Sequence, residues 1–184
     1  MEAMIRSFHK SFLFFISFFL SSIFSTGQTY NFIIFNEDNG LPQGYIYHIS
    51  QDKHGFLIAS TGDGLASFGG TTFKIYRKED GLAQNFITTH YIDSKNNICG
   101  TGGTMSSDFP VTAGVANSTY QGSIDGFVSI FKTDGSAILT STFVGTASYD
   151  QSYFIDTDVN DNIYLMGQTE GVYSTTSGVY KSAK

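Results

Sequence analysis

The chain has 184 residues, with 16 acidic and 10 basic side chains, a formal net charge of −6 and a single cysteine. A negative charge repels phosphate backbones and anionic lipids, which argues against nucleic acid as a partner. One cysteine excludes an intrachain disulfide, so stability has to come from burial and strand pairing. The 18 Phe, 11 Tyr and 20 Gly, with only two Pro, are typical of an all-β chain.

Residues 1–27 have the pattern of a secretory signal peptide. Basic residues precede an apolar run of 13 residues, Phe12 to Phe24, and small residues follow up to Gly27. The run is shorter than the roughly 20 residues that span about 30 Å of hydrocarbon. We therefore expect export to the periplasm, the cell surface or the medium with cleavage near Gly27, and an uncleaved membrane anchor is the alternative.

Two segments downstream repeat each other. Residues 32–62 align with residues 73–103 without a gap, at an offset of 41 residues. Gln43 falls on Gln84, Asp52 falls on Asp93, and the pair Gly40-Leu41 recurs as residues 81–82. A period of this length is in the range of one four-stranded propeller blade.

Short apolar runs between Gly- and Asp-containing turns predict about eleven strands. In the pleat of these strands, Ile46, Leu57, Phe73, Ile87 and Ile98 take matching positions, and we expect all five to be buried. The predicted strands are a lone strand Asn31–Phe35, a first blade Tyr45–Ser50, Phe56–Thr61, Gly64–Phe68 and Thr72–Arg77, a second blade Asn85–Ile92, Ile98–Thr101, Gly126–Lys132 and Ile138–Phe143, and two further strands Tyr153–Thr157 and Ile163–Met166.

The first half, residues 30 to about 98, resembles the two-component regulator propeller repeats of exported bacterial sensors. The residues that carry the resemblance are Gly40-Leu41, Asp52, Gly55, Leu57, Thr61, Gly64-Leu65, Phe68, Phe73 and Tyr76. Ile58 stands where that repeat usually has Trp, and it keeps the position apolar. The resemblance implies a β-propeller that receives extracellular signals such as glycan fragments.

The second half, residues about 93–184, is similar to the seven-bladed propeller (SBBP-type) repeats of bacterial surface proteins. The matching residues are Asp108-Phe109-Pro110, Thr112, Gly114, Asp125, Phe127-Val128, Gly135, Ser141-Thr142 and Gly145. The predicted organisation is a signal peptide (1–27), regulator-type repeats (28–97) and SBBP-type repeats (98–184) with an inserted loop at 105–123. The fold class is an incomplete β-propeller of about 2.5 four-stranded antiparallel blades.

No residue pattern commits the chain to catalysis, to a metal or to a cofactor. The run Asp156–Asn162 begins like a calcium loop but carries Asp161 and Gly167 where such a loop needs Gly and Glu, so a hairpin turn is the favoured interpretation. His48, His54 and His90 lie on separate strands or turns without metal-ligand spacing. We expect a non-enzymatic protein.

Ligand contacts are predicted where inter-blade loops gather around the propeller axis. Gln43 and Gln84 occupy equivalent positions and could offer amide groups to a sugar-like ligand. Asp108 and Tyr120 come from the inserted loop. Satisfying the inter-blade turn is the alternative role of such residues.

The function that follows is a ligand-sensing module, resembling the periplasmic sensor region of two-component regulators. The alternative is a secreted or cell-surface adhesion or scaffold protein. The expected partners are an extracellular glycan or another small ligand, and further blades or a second copy. Fewer than three blades cannot close a ring, so the outer faces of the first and last sheets are expected to expose apolar surface.

Overall fold

The computed structural model describes residues 30–175 and 177–178. The predicted signal peptide, residues 1–27, lies outside the described residues. The chain divides into two units, Met1–Ile34 and Phe35–Lys184, and the described sheets all belong to the second. Nowhere in the described residues does a helix have the length and apolar character needed to cross a membrane.

The fold is all-β, as the sequence predicts, and the ten strands of the described residues form three antiparallel sheets of four, four and two strands. The only helical elements in the described part are short 3₁₀ turns at Glu37–Asn39 and Lys78–Asp80. Each sheet is a meander, in which successive strands of the chain are neighbours. The strands are β1 (Ile46–Gln51), β2 (Leu57–Thr61), β3 (Gly64–Phe68) and β4 (Phe73–Tyr76) in the first sheet, β5 (Thr89–Ile92), β6 (Asn97–Thr104), β7 (Asp125–Lys132) and β8 (Ile138–Val144) in the second, and β9 (Asp150–Thr157) and β10 (Ile163–Thr169) in the third.

Two strand predictions depart furthest from the structure, and the others differ from it by at most three residues at an end. Residues 31–35 form no strand. The strand predicted from Asn85 begins only at Thr89, because the chain before it bonds to the neighbouring sheet. The Gly64 amide donates to the Asn85 carbonyl at 2.9 Å, and the Ile87 amide donates to the Thr61 carbonyl at 3.4 Å.

The second Gly-Leu pair lies where the chain passes from the first sheet to the second, and the first pair lies just before the first sheet. Gly40 and Gly81 have φ of +97° and +100°, which favour glycine, and each ends a 3₁₀ turn. Leu82 follows and is buried in the core between the first and second sheets. Leu82 therefore fills the space between these two sheets.

The larger core lies between the first and second sheets. Ile58 and Leu65 are fully buried and pack against side chains of the second sheet, including Ile98 and Phe131. Ile87, from the connecting segment, is 1% exposed in the same core. A smaller core between the second and third sheets contains Cys99, Val128 and Ile155.

The burial prediction is right for Ile87 and Ile98 but wrong for their equivalents in the first sheet. Ile46 is 42% exposed and Leu57 is 39% exposed, and Phe73 is half-buried. The register places all three on the face of the first sheet that points away from the second. No sheet of the described chain packs on this face. The ring of Phe35, from the segment before the sheet, covers part of it and lies 4.9 Å from Phe68 and 5.4 Å from Phe73.

The loop predicted as an insertion, residues 105–123, runs along the free edge of β8. The Thr112 amide donates to the Ser141 carbonyl at 3.0 Å, and the Phe143 amide donates to the Asn117 carbonyl at 3.1 Å. Phe109 is buried against the rings of Phe127 and Phe143, with both centroids at 5.1 Å. The loop therefore covers an edge that would otherwise present unpaired backbone groups.

Candidate functional site

The same aspartate-based turn connects the first two strands of each sheet. Asp52, Asp93 and Asp158 each accept two backbone amides through Oδ1, from the residues two and four positions later, at 2.6 to 2.9 Å. The residue at the third position beyond each aspartate has a positive φ: 88° at Gly55, 64° at Asn96 and 62° at Asp161. The segment with calcium-loop character is thus the third copy of a hairpin turn.

These turns are also bonded to each other. The Lys53 amide in the first turn donates to Asn96 Oδ1 in the second at 3.0 Å. Ser94 takes the place of Lys53 in the second turn, and it donates through its amide at 3.4 Å and its hydroxyl at 2.9 Å to Asp161 in the third. We call this pair of contacts the turn ladder. It repeats the same relation between each pair of neighbouring sheets.

A histidine cluster joins the first and second sheets in their interior. His90 is 1% exposed and lies on β5. Its Nδ1 is 2.6 Å from Ser60 Oγ and 3.5 Å from His48 Nδ1, and its Nε2 is 2.7 Å from Ser50 Oγ. Burial and, secondarily, the neighbouring His48 lower the pKa of His90 to about 3. The cluster holds a neutral imidazole between hydroxyls, which makes it a polar contact between sheets.

The two glutamines of the sequence prediction lie at the end of the molecule opposite the Asp turns. Gln84 is engaged locally: its Nε2 donates to Thr104 Oγ1 at 2.9 Å and its Oε1 accepts the Asn85 amide at 2.8 Å. Gln43 Oε1 is buried and accepts no hydrogen bond from any described residue. The two glutamines therefore differ in their hydrogen bonding, and Gln84 has the alternative role of satisfying the inter-blade turn.

Asp108 and Tyr120 sit apart from each other within the inserted loop. Asp108 is exposed, accepts a hydrogen bond from the Ser106 hydroxyl and lies 3.7 Å from Lys78 Nζ. The Tyr120 hydroxyl donates to the Ser123 carbonyl at 2.6 Å, and its ring packs 6.0 Å from Phe143. Each side chain thus has one hydrogen bond inside the loop and one contact with a residue outside it.

Two clefts lie at the end of the sheets opposite the Asp turns, and Tyr173 lines both of them. One, of about 190 Å³, lies between the second and third sheets and is lined by Asp150. The other, of about 420 Å³, is polar and is lined by Asn117, Gln121 and Thr146. We call these two depressions the loop-end clefts.

A buried carboxylate gives the smaller cleft its chemistry. Asp150 is 2% exposed, and its Oδ2 accepts the Thr146 amide and hydroxyl at 2.5 and 2.7 Å. Its Oδ1 is buried and has no hydrogen-bond partner among the described residues. An unpartnered buried acceptor costs about 1–3 kcal/mol, so a donor supplied by a ligand would be favourable there.

Asp125 is a second buried carboxyl group close to the loop-end clefts. It is fully buried and accepts the amides of Gln121 and Gly122 at 2.8 and 3.1 Å. Burial raises the pKa of its carboxyl. Burial also raises the pKa of Tyr173 to about 12, with Asp150 and Asp125 adding to the shift, so the phenol stays neutral.

A third cleft, of about 610 Å³, opens between the first and second sheets at the opposite end, among the hairpin turns. Its lining includes Phe56, Lys74 and Asp134, and the Lys74 ammonium is already engaged with the Asp134 carbonyl at 3.3 Å and the Tyr76 ring at 4.5 Å. Among the described residues that line it, no side chain has a buried polar atom without a hydrogen-bond partner. The loop-end clefts are therefore the candidate site.

The loop-end clefts lie at the end of the sheets where the sequence analysis places ligand contacts, but the side chains that give them their chemistry are not the ones that it names. Asp125 was visible as part of the motif shared with the SBBP-type repeats. Nothing in the sequence marks Asp150 or Tyr173, because they meet only when the third sheet packs against the second. The described residues contain no group of three or more His, Cys, Asp or Glu side chains arranged to hold a metal ion.

Comparison with known proteins gives one partial relation. No family model matches the chain. A segment of 61 residues, 33% of the chain, is 43% identical to a protein named histidine kinase P4 from Formosa agariphila. The matched segment is 4% of that protein's length. The similarity to this histidine kinase is local, and it covers a small part of both sequences.

Proposed function

We propose that this chain is a non-enzymatic, exported β-propeller module that binds an extracellular ligand for a two-component sensor. The propeller part of this proposal is supported by three successive meander sheets with the same Asp turn and by the turn ladder between them. The sensor part is supported by the similarity to a histidine kinase.

The observation that carries ligand binding is the unpartnered Oδ1 of Asp150 at the loop-end clefts. A carboxylate oxygen accepts hydroxyl donors, and the half-exposed ring of Tyr173 offers an apolar surface beside it. Asn117 and Gln121 add amide groups in the larger cleft. This mixture suits a neutral hydroxylated ligand such as a glycan fragment, and the combined clefts fall within the size range of small-molecule sites.

Titration calorimetry of the full-length chain against a panel of neutral oligosaccharides tests the proposal. We expect saturable binding of at least one of them, weakened about tenfold or more by Asp150→Asn because a hydrogen bond to a charged acceptor is lost. Asp134→Asn, an exposed change at the opposite end, is the matched control and should leave binding unchanged. If Asp150→Asn binds as tightly as the unchanged chain, the ligand does not bind at Asp150. If no oligosaccharide of the panel binds, the ligand is not a neutral glycan.

Export is tested separately. The pattern of residues 1–27 leads us to expect a mature chain that begins close to residue 28. Mass spectrometry of the protein recovered from the periplasm or medium of a bacterial host measures this end directly. Recovery of an intact Met1 end in the membrane fraction would replace cleavage with an anchor.

A surface scaffold is the second candidate, and the apolar sheet faces at both ends of the unit favour it, because stacked repeat units would cover them. The gene sequence beyond the codon for Lys184 separates the two. A kinase segment favours sensing, and a sorting domain or further SBBP-type repeats favour the scaffold.

A further inference from the structure

Two sheet faces of the unit have exposed apolar side chains and no described sheet packed on them, and they lie at opposite ends of the series of sheets. We call the outward face of the first sheet the leading face, and its exposed residues include Ile46, Ile49 and Leu57. We call the outward face of the third sheet the trailing face, and it presents Phe154 and Met166, which are 58% and 62% exposed.

These faces correspond to the two sides of the contact that the chain already makes twice. Leu57 on the leading face is equivalent to Ile98, which is 1% exposed because the first sheet covers it. Tyr164 on the trailing face is equivalent to Cys99, which is 1% exposed because the third sheet covers it. A leading face is thus the kind of surface that packs on a trailing face within this chain.

We propose that a second copy of this chain docks its leading face on the trailing face of the first, in a head-to-tail arrangement. The contact is heterologous, since each copy contributes a different surface, and it can be repeated. Removing these side chains from water drives it, as burial does between the internal sheets. The proposal does not depend on ligand binding.

The turn ladder sharpens the proposal, because it is incomplete at the new contact. Val159 takes the place of Lys53 and Ser94 in the third turn and is 97% exposed, so its amide is where the next bond of the ladder would start. The residue it would meet on a second copy is Gly55, which has no side chain to accept a hydrogen bond. Gly55 has φ of +88°, which strains any residue with a side chain, and asparagine is among the residues that tolerate this region best. A Cβ there would meet its nearest atom, Gln51 Nε2, at an ordinary contact distance of 3.7 Å.

Size-exclusion chromatography with light scattering on the full-length chain tests the arrangement. We expect concentration-dependent association of the unchanged protein and monomers for Ile49→Lys and for Met166→Lys, each of which blocks one face with a positive charge. An equal mixture of these two variants should form a 1:1 dimer and nothing larger, because it contains one intact leading face and one intact trailing face. Circular dichroism melts of both variants serve as the folding check.

Three results would overturn the proposal: a monomeric unchanged chain, a variant that still self-associates, or a mixture that behaves as its separate components. Self-association of Met166→Lys alone would indicate contact between two leading faces. Self-association of both variants would place the contact elsewhere.

Completing the ladder gives a second, independent readout. Gly55→Asn places an acceptor opposite the Val159 amide and should tighten association by roughly threefold to tenfold, the effect of one net hydrogen bond. Gly55→Ala adds a Cβ but no acceptor and should not tighten it. Equal behaviour of the two variants would contradict the head-to-tail register.

Discussion

The stability of the fold depends on pH through the protonation of His90. Its pKa is about 3 in the folded chain, below the ordinary 6.5, because burial removes water from the charged imidazole. Between these values the unfolded chain binds a proton that the folded chain does not. The contribution of the neutral His90 to the free energy of unfolding is therefore fully present above about pH 6.5, and it is lost as the pH falls toward 3.

We therefore expect the free energy of unfolding to fall between pH 7 and pH 5, approaching a slope of about 1.4 kcal/mol per pH unit for one histidine. The pKa of His48 is lowered as well, by burial, and acts in the same direction. Urea titrations at several pH values measure the slope. His54→Asn, in an exposed turn, should keep it, and a flat profile in the unchanged chain would mean that His90 is reached by water.

The isoleucines at equivalent positions test how much burial each sheet provides. Ile87 is 1% exposed and Ile46 is 42% exposed. Ile87→Ala should destabilise the chain by about 2–5 kcal/mol, because it removes buried carbons and leaves a cavity.

Ile46→Ala is the control for the same change of side chain, and at concentrations where the chain is monomeric it should cost clearly less. Chemical denaturation compares the two. Equal losses would show that the leading face is covered in solution even when the chain is dilute, and a loss below about half a kcal/mol at Ile87 would contradict the register of the connecting segment.

At the scale of an element, the second hairpin links its own geometry to its neighbour. Asn96 has φ of 64°, and its side chain accepts the Lys53 amide and donates to the Thr133 hydroxyl at 3.2 Å. Asn96→Ala loses these bonds and also forces a Cβ-bearing residue without a local polar contact into the left-handed region, so we expect about 1–3 kcal/mol.

Asn96→Gly separates the two causes, because glycine tolerates the positive φ but offers no acceptor. It should cost only about 0.5–1.5 kcal/mol, the share of the hydrogen bonds. Thermal or chemical melts of both variants give the comparison. If alanine and glycine cost the same, the backbone conformation carries no penalty, and if neither costs anything, the turn ladder adds nothing to stability.

Sequence reasoning recovered the elements whose causes are local. β3 was predicted with the bounds Gly64–Phe68 that the structure has, because Gly and Asp mark the turns on either side. The first hairpin of each sheet was found for the same reason. The path of residues 105–123 could not be read in this way, since it follows the edge of β8 through bonds such as Thr112 to Ser141.

The candidate site shows the same division. The equivalence of Gln43 and Gln84 is a matter of spacing and was visible in the sequence. That Gln84 uses its amide on Thr104, while Asp150 keeps an oxygen free, depends on which side chains the packing of sheets brings together. The spacing of residues along the sequence does not predict these side-chain contacts.

At the scale of the whole unit, the three sheets differ in how many of their faces are covered. The second sheet is covered on both faces, and β6 and β7 are buried along most of their length. The first and third sheets are each covered on one face, and in β10 six of seven residues are exposed. Local stability should follow this order, because opening a strand that is covered on both sides exposes more apolar surface.

Amide hydrogen exchange on the dilute chain, read by mass spectrometry after proteolysis, measures that order. We expect peptides from β6 and β7 to exchange slowest, those from β1 to be intermediate and those from β10 to exchange fastest. Raising the protein concentration should slow exchange in β1 and β10 together if the leading and trailing faces meet between copies, and should leave β6 unchanged. Uniform protection across all three sheets at low concentration would show that the unit opens only as a whole and that coverage of a face does not set its local stability.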